Sequence, residues 1–182
     1  MSVDENFWDM YPDRQFMKNV LYPEIGLMLR ENETKRVLDI GVQDYNKNNK
    51  SLFQNDDIEY WQIDDLSDTD SINYHKDLTT LSCDKFLEVS MLDLNEKYPD
   101  TKNYFDCIIS IGVIGFYRFD TDFSHTYIQR VHESLNDNGF FYLQYARDLN
   151  EFGINPLEIT NRFELLNHNL AGEFHFLKMK KK

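Results

Sequence analysis

The chain has 182 residues and a formal charge of −13, with 41% hydrophobic and 15% aromatic residues. That length fits a single domain spanning 1–182, and its apolar share supplies a core that needs no disulfide or structural metal to fold. Seven glycines and four prolines are too few for a low-complexity chain, and the acidic balance excludes general nucleic-acid binding, which rests on Lys and Arg meeting phosphates.

Cys83 and Cys107 form no Cys-x-x-Cys pair, so neither a zinc site nor a disulfide framework is expected, and no metal ligand set is assigned. No stretch approaches about 18 uninterrupted apolar residues, and no charged-then-apolar signal opens the chain. A soluble, cytoplasmic protein without membrane contact is the expectation. The basic run Lys178–Lys182 reads as a solvated end.

Residues 5–30 read as helical, from apolar steps of three and four, with Pro23 expected to break or restart the helix. This segment, 1–33, precedes a core spanning 34–182. Arg36–Gly41 is the first strand, a buried apolar run that carries Asp39 and stops at a glycine. A short helix including Ser51-Leu-Phe53 follows a loop, and Ile58–Ile63, rich in β-branched and aromatic residues, is the second strand, ending at Asp64-Asp65. Residues 66–84 carry no pattern that places a helix. Phe86–Leu92 is a third strand, ended by Asp93, with Leu94 beside it. Phe105–Gly115 is the strongest strand, its continuous apolar run Cys107–Ile111 suiting a centre covered on both faces. Thr121–Leu135 is an amphipathic helix stopped at Asn136–Gly139, with Gly139 expected in the left-handed C-terminal position. Phe140–Tyr145 is a fifth strand and Pro156–Asn161 a short helix. Phe163–Leu166 and Glu173–Lys178 close the chain as a hairpin around Ala171-Gly172. Strands separated by helices imply a mostly parallel sheet covered on both faces, with the terminal pair as an antiparallel edge. The exposed edge strand at 173–178 offers a surface through which an oligomer would pair.

Ligands of an open parallel sheet bind outside the carboxyl ends of its strands, where the strand order reverses. The sequence places Asp39 and Gly41, then Asp64 and Asp65, then Asp93, then Ser110 and Gly112 at those ends. Gly41, without a Cβ, permits close backbone approach. A carboxylate at the second strand end can accept both hydroxyls of a ribose, and Asp93 can accept from an adenine amine. A dinucleotide needs Gly-x-Gly-x-x-Gly to seat its pyrophosphate, whereas this loop offers one glycine and an acid that would repel phosphate.

The order of Val37-Leu-Asp-Ile-Gly41, Ile63-Asp64, Leu92-Asp93, Phe105–Ser110, the helix Tyr127–Leu135 and the run Leu135–Leu143 resembles the class I S-adenosylmethionine-dependent methyltransferases. The resemblance implies a Rossmann-like three-layer α/β/α sandwich whose mostly parallel seven-stranded sheet has an antiparallel C-terminal edge strand. It also implies S-adenosylmethionine as cofactor. Asp39 and Gly41 would flank its methionine part, Asp64 and Asp65 the ribose, Asp93 and Leu94 the adenine, and Ser110, Ile111 and Gly112 would line the pocket beneath. The departure lies in the first loop, where Gln43 and Tyr45 stand at the positions of the family's later glycines. Val42, Gln43, Asp44 and Asn46 remain assigned to the cofactor, because Asx side chains build local turns and the Asp44 carboxylate suits an ammonium. The loop is open to two readings, an alternative turn or a lost site.

For a methyltransferase of this kind, the candidate base is His125 on the helix after the fourth strand, with Asp120 and Asp122 as alternatives and Tyr117 and Arg118 as acceptor contacts. A small polar acceptor, a sugar or nucleotide sugar, is expected, since the acidic surface disfavours polyanions and no separate recognition domain is evident. Phe7, Trp8 and Tyr11 are aromatic candidates for stacking on it. The rival reading is a catalytically inactive protein of the same fold, acting in binding or regulation.

Overall fold

The computed structural model describes residues 12–32, 35–41, 49–54, 57–65, 83–113, 121–146 and 156–182. In chain order these hold helices α1 (Pro12–Phe16) and α2 (Tyr22–Glu31), strand β1 (Arg36–Ile40), helix α3 (Asn49–Leu52), and strands β2 (Glu59–Asp64) and β3 (Lys85–Glu88). Helix α4 (Leu94–Lys97), β4 (Phe105–Ser110), α5 (Thr121–Ser134), β5 (Leu135–Ala146), α6 (Pro156–Arg162), β6 (Phe163–Ala171) and β7 (Phe174–Lys181) follow. The seven strands form one sheet in the order β3-β2-β1-β4-β5-β7-β6. Strands β1 to β5 are mutually parallel where they pair, while β7 runs antiparallel to both β5 and β6. The chain first winds outward from β1 to β3 and then returns to β4 on the other side, so strand order reverses between β1 and β4.

Period-two alternation sorts the strand side chains onto two cores. On one face Leu38, Ile63, Ile108, Phe141 and Leu143 pack against Tyr127, Ile128 and Val131 of α5. On the other, Val37, Tyr60, Cys107, Ile109 and Tyr142 pack beneath Leu21, Tyr22, Ile25 and Leu29 of the N-terminal helices. Gly26 lets α2 lie directly on the chain at Phe53, and a Cβ there would stand 1.7 Å from the Phe53 carbonyl oxygen.

Pro23 restarts the helix, one of the two outcomes expected of it. The residues just before α2, Met17–Leu21, form a π-helical turn, and Pro23 then falls at the start of α2. The wider turn accommodates a ring that lacks an N–H and would otherwise crowd a carbonyl one turn back. Several expectations are corrected. The third strand is shorter than expected and ends at Glu88, because the chain turns through 91–93 into α4. Asp93 therefore does not end a strand. Gly139 is not left-handed; Asn138 takes that conformation at φ 69°. Gly139 is instead a place where space is short, since a Cβ would lie 3.0 Å from the Asn136 carbonyl oxygen. The hairpin forms as expected, with Gly172 at φ 64° in its turn. Residues 173–178 are not the sheet edge, however. Strand β7 lies between β5 and β6, and β6 is the outer strand, because the last strand inserts beside β5 and displaces its predecessor outward.

Candidate functional site

The switch point between β1 and β4 is where the candidate site gathers. Gly41 closes β1 at φ 83° and Gly112 follows β4 at φ 71°, both in the left-handed region that side chains disfavour. The Gly41 N–H donates to the Ile63 carbonyl at 2.9 Å. A Cβ on Gly41 would lie 2.9 Å from Val113 Cγ2, so the two strand ends approach with no room for a side chain. The Gly112 N–H donates to Gln144 Oε1 at 2.8 Å, tying the turn after β4 to β5. At the neighbouring strand end Asp64 is half-buried and Asp65 exposed. The Asp64 carbonyl accepts from Val89 N–H at 2.9 Å.

Other expected site residues are held in internal networks. Asp39 is 1% exposed and stands on the face under the N-terminal helices. Tyr60 Oη donates to its Oδ2 at 2.5 Å, and Gln62 Nε2 donates to Tyr60 Oη at 3.1 Å. Register places Gln62 directly beside Asp39, so a carboxylate that the sequence aims at ligand also braces the end of β1. Ser110 points to the opposite face, where its Oγ shares a 2.7 Å hydrogen bond with Tyr127 Oη. Burial pushes the Tyr127 phenol upward in pKa against the pull of that bond, so the pair is a neutral strut. Ile111 is buried in the core below the N-terminal helices, and Leu94 is fully buried.

Asp93 lies in the turn before α4, half-exposed, with an ion pair to Lys97 at 3.6 Å. His125 is exposed near the start of α5. That helix begins on the site side of the sheet, because it leads to Leu135, which pairs with Phe105 at the opposite end of β4. Val42, Gln43, Asp44, Asn46, Tyr117, Arg118, Asp120, Phe7, Trp8 and Tyr11 lie outside the described residues, as does the side chain of Asp122. Sequence reasoning missed Tyr60, Tyr127 and Gln144. The available signal was parity: polar atoms at positions of buried strands and helices where the pattern calls for carbon. Among the described residues no group of three or more His, Cys, Asp or Glu side chains is arranged to hold a metal ion.

No protein-family profile matches the chain, and no curated protein sequence does. Solved structures do. The N-methyltransferase NodS from Bradyrhizobium japonicum, in complex with S-adenosylhomocysteine, aligns with a TM-score of 0.66 at 14% identity over 98% of this chain and 93% of its own. The Burkholderia thailandensis 1,6-didemethyltoxoflavin-N1-methyltransferase, with bound 1,6-didemethyltoxoflavin and S-adenosylhomocysteine, aligns with a TM-score of 0.58 at 13% identity over 97% and 86%. Spermidine synthase from Thermotoga maritima aligns with a TM-score of 0.60 at 19% identity over 89% and 59%. The protein therefore has the Rossmann-like fold of the class I S-adenosylmethionine-dependent methyltransferases. At these identities the likeness is one of fold, and the chemistry rests on the site.

Proposed function

We propose that this protein is an S-adenosylmethionine-dependent methyltransferase acting on a small polar acceptor, with a sugar or nucleotide sugar as the favoured class. The observation that carries the reading is the pair of left-handed glycines, Gly41 and Gly112, at the switch point, beside the half-buried Asp64. The glycines leave both strand ends bare of side chains of their own, with Val113 Cγ2 against Gly41, and the acid at the neighbouring strand end suits a ribose. When bound, S-adenosylmethionine supplies a methyl on a sulfonium, and a cation without phosphate fits a rim of acids. The complexes of NodS and the toxoflavin methyltransferase with S-adenosylhomocysteine support the cofactor, and the second supports a small-molecule acceptor.

In this reading Gly41 and the loop residues Val42, Gln43, Asp44 and Asn46 receive the methionine part. Asp64, with Asp65 behind it, accepts from the ribose hydroxyls, and Asp93 with Leu94 serves the adenine from the turn before α4. Asp39 acts through Tyr60 to fix the end of β1, and Ser110, Ile111 and Gly112 set the end of β4. His125 on the site side of α5 takes the acceptor's proton as its oxygen gains the methyl. Orientation carries most of the rate, because an in-line displacement depends on alignment.

Calorimetric titration tests the cofactor. Heat on addition of S-adenosylmethionine or S-adenosylhomocysteine is the expected outcome, and neither heat nor a thermal shift at millimolar ligand would sink the reading. Asp64→Ala should weaken binding by about 1–3 kcal/mol through lost charge-assisted hydrogen bonds, and unchanged affinity would remove Asp64 from the ribose.

A further inference from the structure

Away from the switch point, two imidazoles meet on the last two strands of the sheet. His168 of β6 and His175 of β7 are seven residues apart in the chain, and the hairpin brings His168 Nε2 to 2.8 Å from His175 Nδ1. Register places His175 between Tyr145 of β5 and Leu170 of β6, with His168 as its diagonal neighbour. The rings of Tyr145, His175 and His168 form one stack. Tyr145 lies 4.8 Å from His175 with 6° between their planes, and His175 lies 5.1 Å from His168. Tyr145 belongs to the core, so it holds the His175 ring against a fixed wall. His175 is half-buried and His168 exposed, which leaves the pair open to solvent. The pairing depends on the irregularity in β6 between Leu165 and Asn167. A strand without that extra residue would turn His168 to the other face and set Asn169 beside His175 instead.

We infer that His168 and His175 form a two-histidine site for a divalent late transition-metal ion, copper, nickel or zinc, with water in the remaining positions. The site stands independently of the methyltransferase reading. Two imidazole nitrogens held at right angles on one metal, with bonds of about 2.0–2.1 Å, are about 2.9 Å apart. The 2.8 Å between the two nitrogens matches that bite. A turn of the exposed His168 ring opens the hydrogen bond and lets a metal lie on both lone pairs. The bridging proton then moves to the far nitrogen of its own ring, His168 Nδ1 or His175 Nε2, so both rings stay neutral and no proton is released. Burial, and then the neighbouring His168, holds His175 below its usual pKa, which keeps it unprotonated near pH 7. The donor set selects the ion. Imidazole suits copper, nickel and zinc, whereas magnesium and calcium take oxygen ligands. The charge of −13 favours a cation at the surface. Stacking on Tyr145 restricts the His175 ring before any ion arrives, so chelation costs little further freedom.

Calorimetric titration of the full chain, carrying no histidine tag, tests the site with copper(II), nickel(II) and zinc chlorides as probes. A saturable site is expected for all three, tightest for copper. His168→Gln and His175→Gln should each weaken it by at least about tenfold. The double variant should lose little more than either single one, because one change already destroys the chelate. His132→Gln, a histidine elsewhere in the fold, should bind as the parent chain does. His168 is exposed, so its variant decides the matter should His175→Gln not fold. In NMR spectra, zinc should shift the ring protons of His168 and His175 together and leave those of His132 in place. No saturable binding of any of the three ions overturns the site, as does binding that survives His168→Gln. A double variant that loses the sum of the two single losses overturns it too, since the histidines would then act separately. Magnesium or calcium binding that disappears with the same variants would overturn the assigned class of ion.

Discussion

Gly26 shows how one missing Cβ sets a contact between elements. In an exposed helix alanine outperforms glycine by about 1 kcal/mol, but here the added atom would sit 1.7 Å from a backbone oxygen at Phe53. Backbone cannot yield as a side chain tip can, so overpacking should win and Gly26→Ala should destabilise by about 3 kcal/mol or more. The urea midpoint measures it, and a stabilised variant would show that α2 does not lie on Phe53. Titration at single residues gives a second expectation. Burial holds His132 below its usual pKa, aided by the cations of Lys181 and Arg162. Burial and the neighbouring His168 do the same to His175. A folded-state value below the unfolded one means the unfolded chain binds the extra proton first, from about pH 6.5 downward. Stability from these residues is therefore whole above about pH 6.5 and declines as pH falls through the lower folded values. Carboxylates act further down. Burial pushes Asp84 up, yet the hydrogen bonds from Lys50 and the Tyr60 N–H outweigh it, and its contribution is lost only as pH falls below the normal carboxylate range. His132→Phe should flatten the fall in urea midpoint between pH 7 and pH 5 while leaving the decline below pH 4, and an unchanged slope would discount His132. Neither behaviour was legible in the sequence, where Gly26 is an unremarked residue in an apolar helix and His132 one histidine among five.

At the scale of elements, Asp106 does at the amino end of the sheet what Gln144 does at the carboxyl end. It is 4% exposed. Its Oδ2 accepts the Lys35 and Arg36 N–H groups at 2.9 Å each, and its Oδ1 accepts from the Arg36 guanidinium at 3.3 Å and from Asn136 Nδ2. One carboxylate thus joins the starts of β1 and β5 to β4. Asp106→Ala would strand those donors and should cost about 3 kcal/mol. Asp106→Asn keeps an acceptor and should cost distinctly less, and equal losses in thermal melts would mean that charge alone matters. This staple was invisible in sequence because its partners are 30, 70 and 71 residues away in the chain. What local chemistry controls was legible. β1, β2, β4 and α5 followed from apolar pattern, and the terminal hairpin from the turn at Ala171-Gly172. Where a neighbour decides, pattern misled. Phe86–Leu92 reads as one strand, yet only Lys85–Glu88 pairs with β2. Likewise β6 looks like half a hairpin and not the sheet edge, since nothing within it says that β7 will insert beside β5. The candidate site divides the same way. Its glycines and Asp64 were visible at strand ends, but Tyr60, Tyr127 and Gln144 act across strands or from a helix.

For the whole molecule, the charge of −13 is a self-repulsion that folding must overcome. Opposing it are ion pairs such as Arg130–Glu96 at 2.5 Å, Lys50–Asp84 at 2.7 Å and Lys97–Asp93 at 3.6 Å. Their acids are well exposed, at 67%, 44% and 50% of the side chain, and such pairs contribute about 0–1 kcal/mol each. Salt screens both effects, over about 10 Å at 0.1 M, so the sign of the response reports which is larger. A net excess of 13 negative charges acts between many distant groups, and those long separations are what salt screens first. The melting temperature should therefore rise by about 3 °C between 10 mM and 500 mM sodium chloride, a shift on the order of 1 kcal/mol for a chain of this size. Chloride is the right salt, because sulfate would stabilise through exclusion from the surface whatever the charge. A melting temperature that falls with sodium chloride would mean that the local pairs outweigh the global repulsion, and replacing Arg130 by Gln would then abolish most of the response.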